Sequence, residues 1–120
     1  MTENTASETI VHTCTYTFLA INDTMELLSG KWKIKIIGAL ILKGKMRFMD
    51  LQRNVNGIAA KMLSKELQDL ETNELVRRSV LNTKPISVEY EITEYGKTLE
   101  KILEELANWG IEHRKRLFEK

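Results

Sequence analysis

The stretch from Asn56 to Glu71 carries the residues whose types and spacing are most informative about chemistry. At about 100° per residue it makes a two-sided helix, and a small domain has to bury the apolar side. That side holds Ala59, Leu63, Leu67 and Leu70. The opposite side carries two ammonium groups, a hydroxyl and an amide, from Lys61, Ser64, Lys65 and Gln68. Such groups suit phosphate oxygens and base edges in a DNA major groove, and a solvated helix face is the alternative.

The charge distribution favours a polyanion as the partner of this region. Between Lys31 and Lys65 there are nine basic residues and one acid, Asp50, which gives a net charge of +8. The remaining nine basic and sixteen acidic residues carry −7, so the whole chain has a net charge of +1. A block this one-sided is typical of a surface that meets nucleic acid. The candidate phosphate contacts outside the helix are Lys31, Lys33, Lys45, Arg47 and Lys84.

Composition and length exclude several other classes. The 120 residues suffice for one domain, and no segment approaches the roughly 20 apolar residues of a membrane helix. The start of the chain lacks the pattern of a signal peptide, and a lone cysteine cannot form an internal disulfide, so we expect a cytoplasmic protein. No paired acid and base, nucleophile motif or phosphate-binding glycine loop is present. We therefore expect neither an enzyme nor a cofactor.

The region before this helix is predicted to hold an arm and three helices. Residues 1–18 form the arm, and alternation between Thr9 and Phe18 permits a short strand. Asn22 or Asp23 is predicted to cap a first helix with an inward stripe of Ile21, Met25 and Leu28, which Ser29-Gly30 ends. A second helix, Lys31 to Leu42, is expected to lie in the core through Trp32, Ile34, Ile37, Leu40 and Ile41. An extended piece, Lys45–Phe48, and a brief helix, Met49–Arg53, complete a helix-turn-helix.

Two β-rich runs follow the base-facing helix. They extend from Leu75 to Leu81 and from Ile86 to Ile92, around a turn at Asn82 to Pro85. A hairpin in this place is the wing of a winged helix, with Lys84 at its tip. Arg77 and Arg78 lie at its base, and one of them is expected to face DNA because adjacent strand residues point to opposite faces.

The C-terminal region is predicted to be one long helix, Glu94 to Phe118, capped by Thr93. Its length of about 37 Å exceeds what one small core covers. A coiled-coil-like 4-3-4-3-4 spacing runs through Tyr95, Leu99, Ile102, Leu106, Trp109 and His113. We expect this seam, from Leu99 onward, to form a homodimer. The predicted fold is mainly α with a small β-hairpin: an arm at 1–18, a winged helix-turn-helix core at 19–92 and a dimerisation helix at 93–120, with N- and C-terminal helices at the dimer interface.

The chain resembles the HxlR-type winged-helix transcriptional regulators of bacteria and archaea, which are part of the MarR-like group. The resemblance covers about residues 19 to 112 and rests on the order of short motifs. These are Gly30-Lys31-Trp32-Lys33, Arg47-Phe48-Met49-Asp50-Leu51, Gly57-Ile58, Lys61-Met62-Leu63, Leu67, Leu70-Glu71, Leu75-Val76-Arg77-Arg78, Val88-Glu89-Tyr90, Thr93-Glu94-Tyr95-Gly96 and Trp109-Gly110.

The resemblance implies a homodimer on an inverted-repeat operator of double-stranded DNA, with half-sites about 34 Å apart. Some relatives sense electrophiles or oxidants through an N-terminal cysteine, which makes Cys14 a candidate redox sensor. The chain departs from the family at Ala59, where Ser or Thr usually caps the helix, at Ala60, where a larger polar residue is usual, and at Ser87, where the wing is usually basic. Capping then falls to Asn56 or Gly57.

Several alternatives stay open. A winged-helix protein-interaction module without a DNA target is the main one, and the basic block argues against it. An effector pocket lined by Trp32, Tyr95 or Trp109 is a further interpretation, although aromatic residues at helical spacing are more often core. A metal held by His12, Cys14 and His113 is disfavoured because their spacing is not compact. The family commonly has an acidic residue followed by Gly where this chain has Asn73 and Glu74, and Asn73 can tolerate the left-handed conformation that Gly would take.

Overall fold

A computed structural model describes residues 14–119 as six helices and three short strands. In chain order the elements are α1 (Cys14–Leu27), α2 (Lys33–Lys43), β1 (Met46–Arg47), α3 (Phe48–Asn54), α4 (Ala60–Thr72), β2 (Val76–Leu81), β3 (Ser87–Ile92), α5 (Glu94–Lys97) and α6 (Glu100–Phe118). The chain divides into two compact units, Met1–Gly30 and Lys31–Lys120. The described part of the first unit is essentially α1, and the second unit contains all the other elements.

Helix α1 begins earlier than predicted and replaces the predicted strand. Residues 14–18 are helical, so that part of the strand prediction is wrong, and residues 9–13 lie outside the described part. A helix satisfies its own backbone hydrogen bonds, whereas a strand needs a neighbouring strand for them. Asn22 and Asp23 lie inside the helix and do not cap it. Of the predicted inward stripe, Leu28 is buried, whereas Ile21 and Met25 are exposed.

In the second unit, the predicted hairpin is part of a three-stranded antiparallel sheet. The strand order is β1-β3-β2, so the central strand β3 pairs with both neighbours. Val76 pairs with Ile92 at the base of the hairpin, Leu81 with Ser87 at its tip, and Met46 with Tyr90 on the other edge. The predicted wing is therefore confirmed, and the extended piece after α2 adds a third strand to it.

The core of this unit lies between α2, α3, α4 and the base of the hairpin. Helix α2 is central, as predicted, but its inward residues are Ile36, Ile37 and Leu40, while Ile34 is partly exposed. The most deeply buried side chains are Ile36, Ile37, Leu40, Leu51, Val55, Leu63, Leu67, Leu70, Leu75 and Val76. Burial of these aliphatic groups supplies the main driving force for folding.

The predicted continuous C-terminal helix is wrong, because the structure has a short α5 followed by α6. Between them, the N–H groups of Thr98 and Leu99 donate to the carbonyls three residues earlier, and the Thr98 hydroxyl donates to Tyr95 O at 2.6 Å. Such i→i+3 bonds tighten a helix locally and redirect it. Leu99 is thereby carried into the core, where only 7% of it is exposed.

Thr93 joins three elements at the start of α5. Its Oγ1 accepts from the Gly96 N–H at 2.9 Å, which confirms the predicted cap. The same hydroxyl lies 2.7 Å from the carbonyl oxygen of Glu74, to which it donates. The Thr93 N–H donates to Leu75 O at 3.0 Å. The turn after α4, the end of β3 and the start of α5 are thus connected through one residue.

The turn after α4 corrects a second detail of the prediction. Asn73 has φ −88° and is not left-handed. Glu74 instead takes the left-handed conformation, with φ +62°. Its N–H donates to Glu71 O at 2.9 Å, and the next residue, Leu75, donates to Leu70 O at 2.9 Å. This pattern closes the helix one residue later than expected and directs the chain into β2.

Candidate nucleic-acid interface

Helix α4 is two-sided, as its sequence predicts, and its polar side is exposed. Leu63, Leu67 and Leu70 are fully buried on the inner side. The outer side holds Lys61, Ser64, Lys65 and Gln68, all exposed. Helix packing against the core therefore presents two ammonium groups, a hydroxyl and an amide together on one accessible surface.

The beginning of α4 differs from the prediction. The helix starts at Ala60, and the N-cap position is Ala59, which is exposed and makes no side-chain cap hydrogen bond. Neither Asn56 nor Gly57 caps it; Gly57 has φ +89° and belongs to the turn before the helix. With no side chain capping the first turn, its free N–H groups remain available to an external acceptor, such as a phosphate oxygen.

Lys33 is not available as the phosphate contact that the sequence suggested. It is 9% exposed, and its Nζ lies 2.8 Å from Glu66 Oε2 and 3.4 Å from Asp69 Oδ2 of α4. Burial by itself lowers the pKa of this lysine, but hydrogen bonds and charge from Glu66 and Asp69 outweigh it and raise the pKa above 10.5. Lys33, Ile37 and Leu40 recur at helical spacing, and this periodicity is the signal for the inner side of α2 that the prediction of a phosphate contact left unused.

The other predicted phosphate contacts remain at the surface, in different surroundings. Lys31 lies over the Trp32 ring, with Nζ 4.6 Å from the ring centroid, and Lys35 lies 5.2 Å from the same ring. Lys45 is exposed, and its Nζ is 3.9 Å from Glu89 Oε1. Arg47 and Lys84 are exposed.

Arg47 and Lys84 meet at an open cleft between α3 and the tip of the hairpin. The cleft has a volume of about 680 Å³, and Arg53 also lines it. Asp50 also lines the cleft and pairs with Arg53 at 3.2 Å. The basic side chains outnumber this acid, so the cleft has an excess of positive charge. Met49 and Ile86 add apolar surface to it. Arg53 was not predicted as a site residue. The sequence signal that could have identified it was a basic residue in the last turn of the brief predicted helix.

The structure distinguishes the two arginines at the base of the wing. Arg77 Nη1 lies 3.0 Å from Glu91 Oε1 across the hairpin. Arg78 is exposed and lines a small pocket together with Ser64 and Gln68 of α4. Arg78 pairs in register with Tyr90, whose side chain is buried. Arg78 is therefore the member of the pair that extends the polar surface of α4.

The predicted dimer seam is exposed along α6, apart from its first member. Ile102, Leu106 and Trp109 are 44%, 54% and 69% exposed. The rings of Trp109 and His113 stack with their centroids 4.9 Å apart. Leu99, by contrast, is buried within its own subunit, so the assignment of this residue to the dimer seam is corrected.

The proposed effector and sensor residues are found in separate surroundings. Trp32 is covered by Lys31 and Lys35, Tyr95 lines a cleft beside Arg77, and Trp109 stacks on His113. Cys14 is the first residue of α1, but its side chain lies outside the described part, as does His12. Within residues 14–119 no group of three or more His, Cys, Asp or Glu residues is arranged to hold a metal. None of the described helices is long and apolar enough to cross a membrane.

Comparison with known proteins agrees with this geometry. The family model described as HxlR-like helix-turn-helix matches residues 27–118. YtcD of Bacillus subtilis (strain 168), an HTH-type transcriptional regulator, is 40% identical over 100 residues, which are 83% of this chain and 79% of YtcD.

Two solved structures of regulators are also similar. The redox regulator HypR in its reduced form has 35% sequence identity and a TM-score of 0.76, over 84% of this chain and 99% of HypR. The reduced form of the transcriptional regulator YodB from B. subtilis has 34% identity and a TM-score of 0.68, over 75% of this chain and 87% of YodB.

Proposed function

The chain belongs to the HxlR-like helix-turn-helix family and is a transcriptional regulator of the helix-turn-helix type, and we propose that it binds a specific operator. We propose further that it does so as a homodimer. The observation that carries this proposal is the exposed side of α4, with Lys61, Ser64, Lys65 and Gln68. Lysine and glutamine side chains donate to guanine and adenine edges in the major groove, and serine reaches either bases or phosphates. Inserted in the major groove, α4 reads the sequence, with Ala60 at its entry.

Two further surfaces support DNA as the partner. Arg47, Arg53 and Lys84 surround the cleft beside the wing, where a phosphate backbone meets positive charge from two elements at once. Arg78 extends the polar surface of α4 toward the wing. Contacts to phosphates position a protein on the duplex, whereas contacts to base edges supply specificity. The division of labour that we propose assigns positioning to the cleft and reading to α4.

The exposed apolar side of α6 supports the homodimer. Ile102, Leu106 and Trp109 form a continuous seam at helical spacing, and a seam of this kind is normally covered in solution. A second copy of α6 offers the matching surface, since a twofold axis brings the same residues of both subunits together. In the first unit, Tyr16, Phe18 and Leu19 of α1 are also exposed and offer additional apolar area.

A redox signal is the input that we propose for this regulator. HypR is named a redox regulator and YodB was studied in its reduced form. Cys14 is the one cysteine of the chain and lies at the start of α1. Oxidation or alkylation of its thiol would change the start of a helix that we assign to the dimer, and thereby operator affinity. A small-molecule effector is the alternative signal that we propose.

Fluorescence anisotropy tests the proposal. The protein is titrated with duplexes tiled from the region upstream of its own gene and with a scrambled duplex, over a salt series, before and after a thiol oxidant. We expect tight binding to one upstream duplex, with log K falling steeply as log salt rises. Loss of binding on oxidation in the wild type, but not in Cys14→Ser, would support the redox input.

Absence of binding to any duplex at low salt would contradict the operator proposal. The alternative would then be a winged-helix module whose partners are proteins, with the seam on α6 as its working surface. Binding to every duplex with equal affinity would leave DNA as the partner but contradict sequence-specific recognition.

A further inference from the structure

The inner side of α4 includes a charged group that a simple helix-packing model does not require. Glu66 lies among Leu63, Leu67 and Leu70 and is itself buried. Its carboxylate accepts from Lys33 Nζ of α2 at 2.8 Å. Asp69, one turn further on, takes a second hydrogen bond from the same ammonium group at 3.4 Å. One lysine of α2 thus holds two successive acids of α4.

Stability alone does not explain this arrangement. Removing an ion pair from water costs nearly as much as the pair gains, and well-packed apolar residues often serve as well or better. What the pair adds is direction. Apolar contacts are non-directional and tolerate a small rotation of one helix against another, whereas charge-assisted hydrogen bonds have narrow limits in distance and angle.

Rotation of α4 matters because its opposite side carries the polar groups. Lys61 and Ser64 extend from the exposed side of the helix, and Lys65 is exposed at its edge, one turn before Asp69. With side chains reaching about 5 Å from the helix axis, a rotation of about 20° would displace their ends by about 2 Å. A hydrogen bond to a base edge does not survive a displacement of that size. The two contacts from Lys33 are the side-chain hydrogen bonds that join α2 to α4 within residues 14–119.

We propose that Lys33 is a positioning residue for sequence recognition: through Glu66 and Asp69 it fixes the rotation of α4 and hence the aim of Lys61, Ser64 and Lys65 at base edges. This inference rests on the proposed function, because it presupposes that α4 reads DNA. Lys33 itself touches no DNA. It acts through α4, and its effect falls on the discrimination between operator and other sequences.

The variant Glu66→Gln tests this inference against simple electrostatics. It removes one negative charge from α4 and keeps the size of the side chain. The control Glu71→Gln removes the same charge from an exposed position of the same helix, beside Ser64, Gln68 and Arg78 but without a contact to Lys33. If charge alone matters, both variants bind operator and scrambled duplex more tightly, with an unchanged ratio of affinities. If Lys33 positions α4, Glu66→Gln replaces a charge-assisted hydrogen bond with a neutral one of about half its strength and lowers that ratio by about tenfold, whereas Glu71→Gln does not.

A double variant separates positioning from stability. Lys33→Met combined with Glu66→Met replaces both charges with apolar groups of similar volume, and we expect a melting temperature at or above that of the wild type. The ratio of operator to scrambled affinity should nevertheless stay low, as in Glu66→Gln. A folded double variant with the ratio of the wild type would overturn the inference, as would an unchanged ratio in Glu66→Gln. A wild-type protein without operator preference would instead contradict the proposed function, on which the inference depends.

Discussion

Lys65 lies on the exposed side of α4, one turn from Lys61. If it donates to a base edge, Lys65→Ala should weaken operator binding by about 1–3 kcal/mol and relax specificity at one position. Anisotropy titrations with the operator and its single-base variants measure both effects. Lys101→Ala, an exposed lysine of α6, is the control. An equal loss on every duplex, with the salt slope smaller by about one unit, would assign Lys65 to a phosphate.

Lys33 illustrates what residue types leave open. Its charge and its place in the basic block suggested a phosphate contact, whereas its position on the inner side of α2 agrees with the contact to Glu66 that the structure shows. Sequence alone does not reveal which buried lysine has an acid opposite it, because Glu66 lies on a different element, 33 residues away. Ser64, Lys65 and Gln68 needed only helical periodicity, so their exposure was predicted correctly.

Lys33 also makes a prediction for stability. Because its pKa in the folded protein is raised above the ordinary value of 10.5, its stabilising contribution is complete below that pH and is lost as pH rises through the folded value. At pH 8, Lys33→Met should lower the free energy of unfolding by roughly 3–5 kcal/mol, since Glu66 stays buried without its partner. Urea denaturation at pH 8 and pH 11 should show a smaller difference from the wild type at pH 11.

The exposed Lys43 of the same helix provides the control for that experiment. Lys43→Met should change stability by well under 1 kcal/mol, which is typical of surface substitutions. A Lys33→Met variant as stable as Lys43→Met at both pH values would contradict the contribution assigned to the buried pair.

At the scale of elements, local signals decided which predictions were confirmed. The hairpin was predicted to within one residue at each end, because turn residues and β-branched runs bound it on both sides. The division between α5 and α6 was missed, since the apolar spacing continues across it. That division depends on the three-residue hydrogen bonds at Thr98 and Leu99 and on packing of Leu99 into the core, neither of which has a sequence pattern of its own.

Close packing at Gly96 gives a prediction for the same region. A Cβ at this position would collide with the carbonyl oxygen of Leu75 and with the side chain of Ile92. Gly96→Ala should therefore destabilise the protein by about 1–3 kcal/mol, as overpacking usually does. Thermal denaturation measures it. Gly110→Ala on α6, where a Cβ meets open space, is the matched control and should leave the protein as stable or slightly more stable.

At the scale of the whole molecule, the proposed dimer depends on the seam of α6. Leu106→Glu places a carboxylate at its centre in both subunits, so the loss of apolar burial counts twice and should weaken association by about 3 kcal/mol or more. Sedimentation velocity should then show monomers at concentrations where the wild type is dimeric. Lys101→Glu changes the charge of the same helix away from the seam and is the control. A dimeric Leu106→Glu protein would exclude this seam as the interface.

The amphipathic pattern of α6 predicted this seam without any structure, whereas α1 was only partly predicted. The alternation of Thr9, Thr13, Thr15 and Thr17 with larger residues suggested a strand. Helix start signals placed the beginning of α1 at Asn22 or Asp23. Residues 14–21 nevertheless continue the same helix toward the N-terminus. A segment whose sequence fits both a strand and a helix takes the structure for which its backbone finds hydrogen-bond partners. Those partners depend on the folded chain and cannot be found from the local sequence.

If the protein binds its operator as the proposed dimer, the hydrogen bonds of Thr93 should limit the spacing of half-sites that it accepts. Through that one hydroxyl, hydrogen bonds connect the turn after α4 directly to the beginning of α5. In the proposed dimer, the two copies of α4 would then keep a nearly constant separation and relative orientation. One base pair added between the half-sites shifts one of them by about 3.4 Å along the duplex and rotates it by about 35°. We expect such a duplex to bind only one copy of α4 at a time, with the affinity of a single half-site. Full affinity for this duplex would show that the connection at Thr93 does not fix the spacing of the two helices.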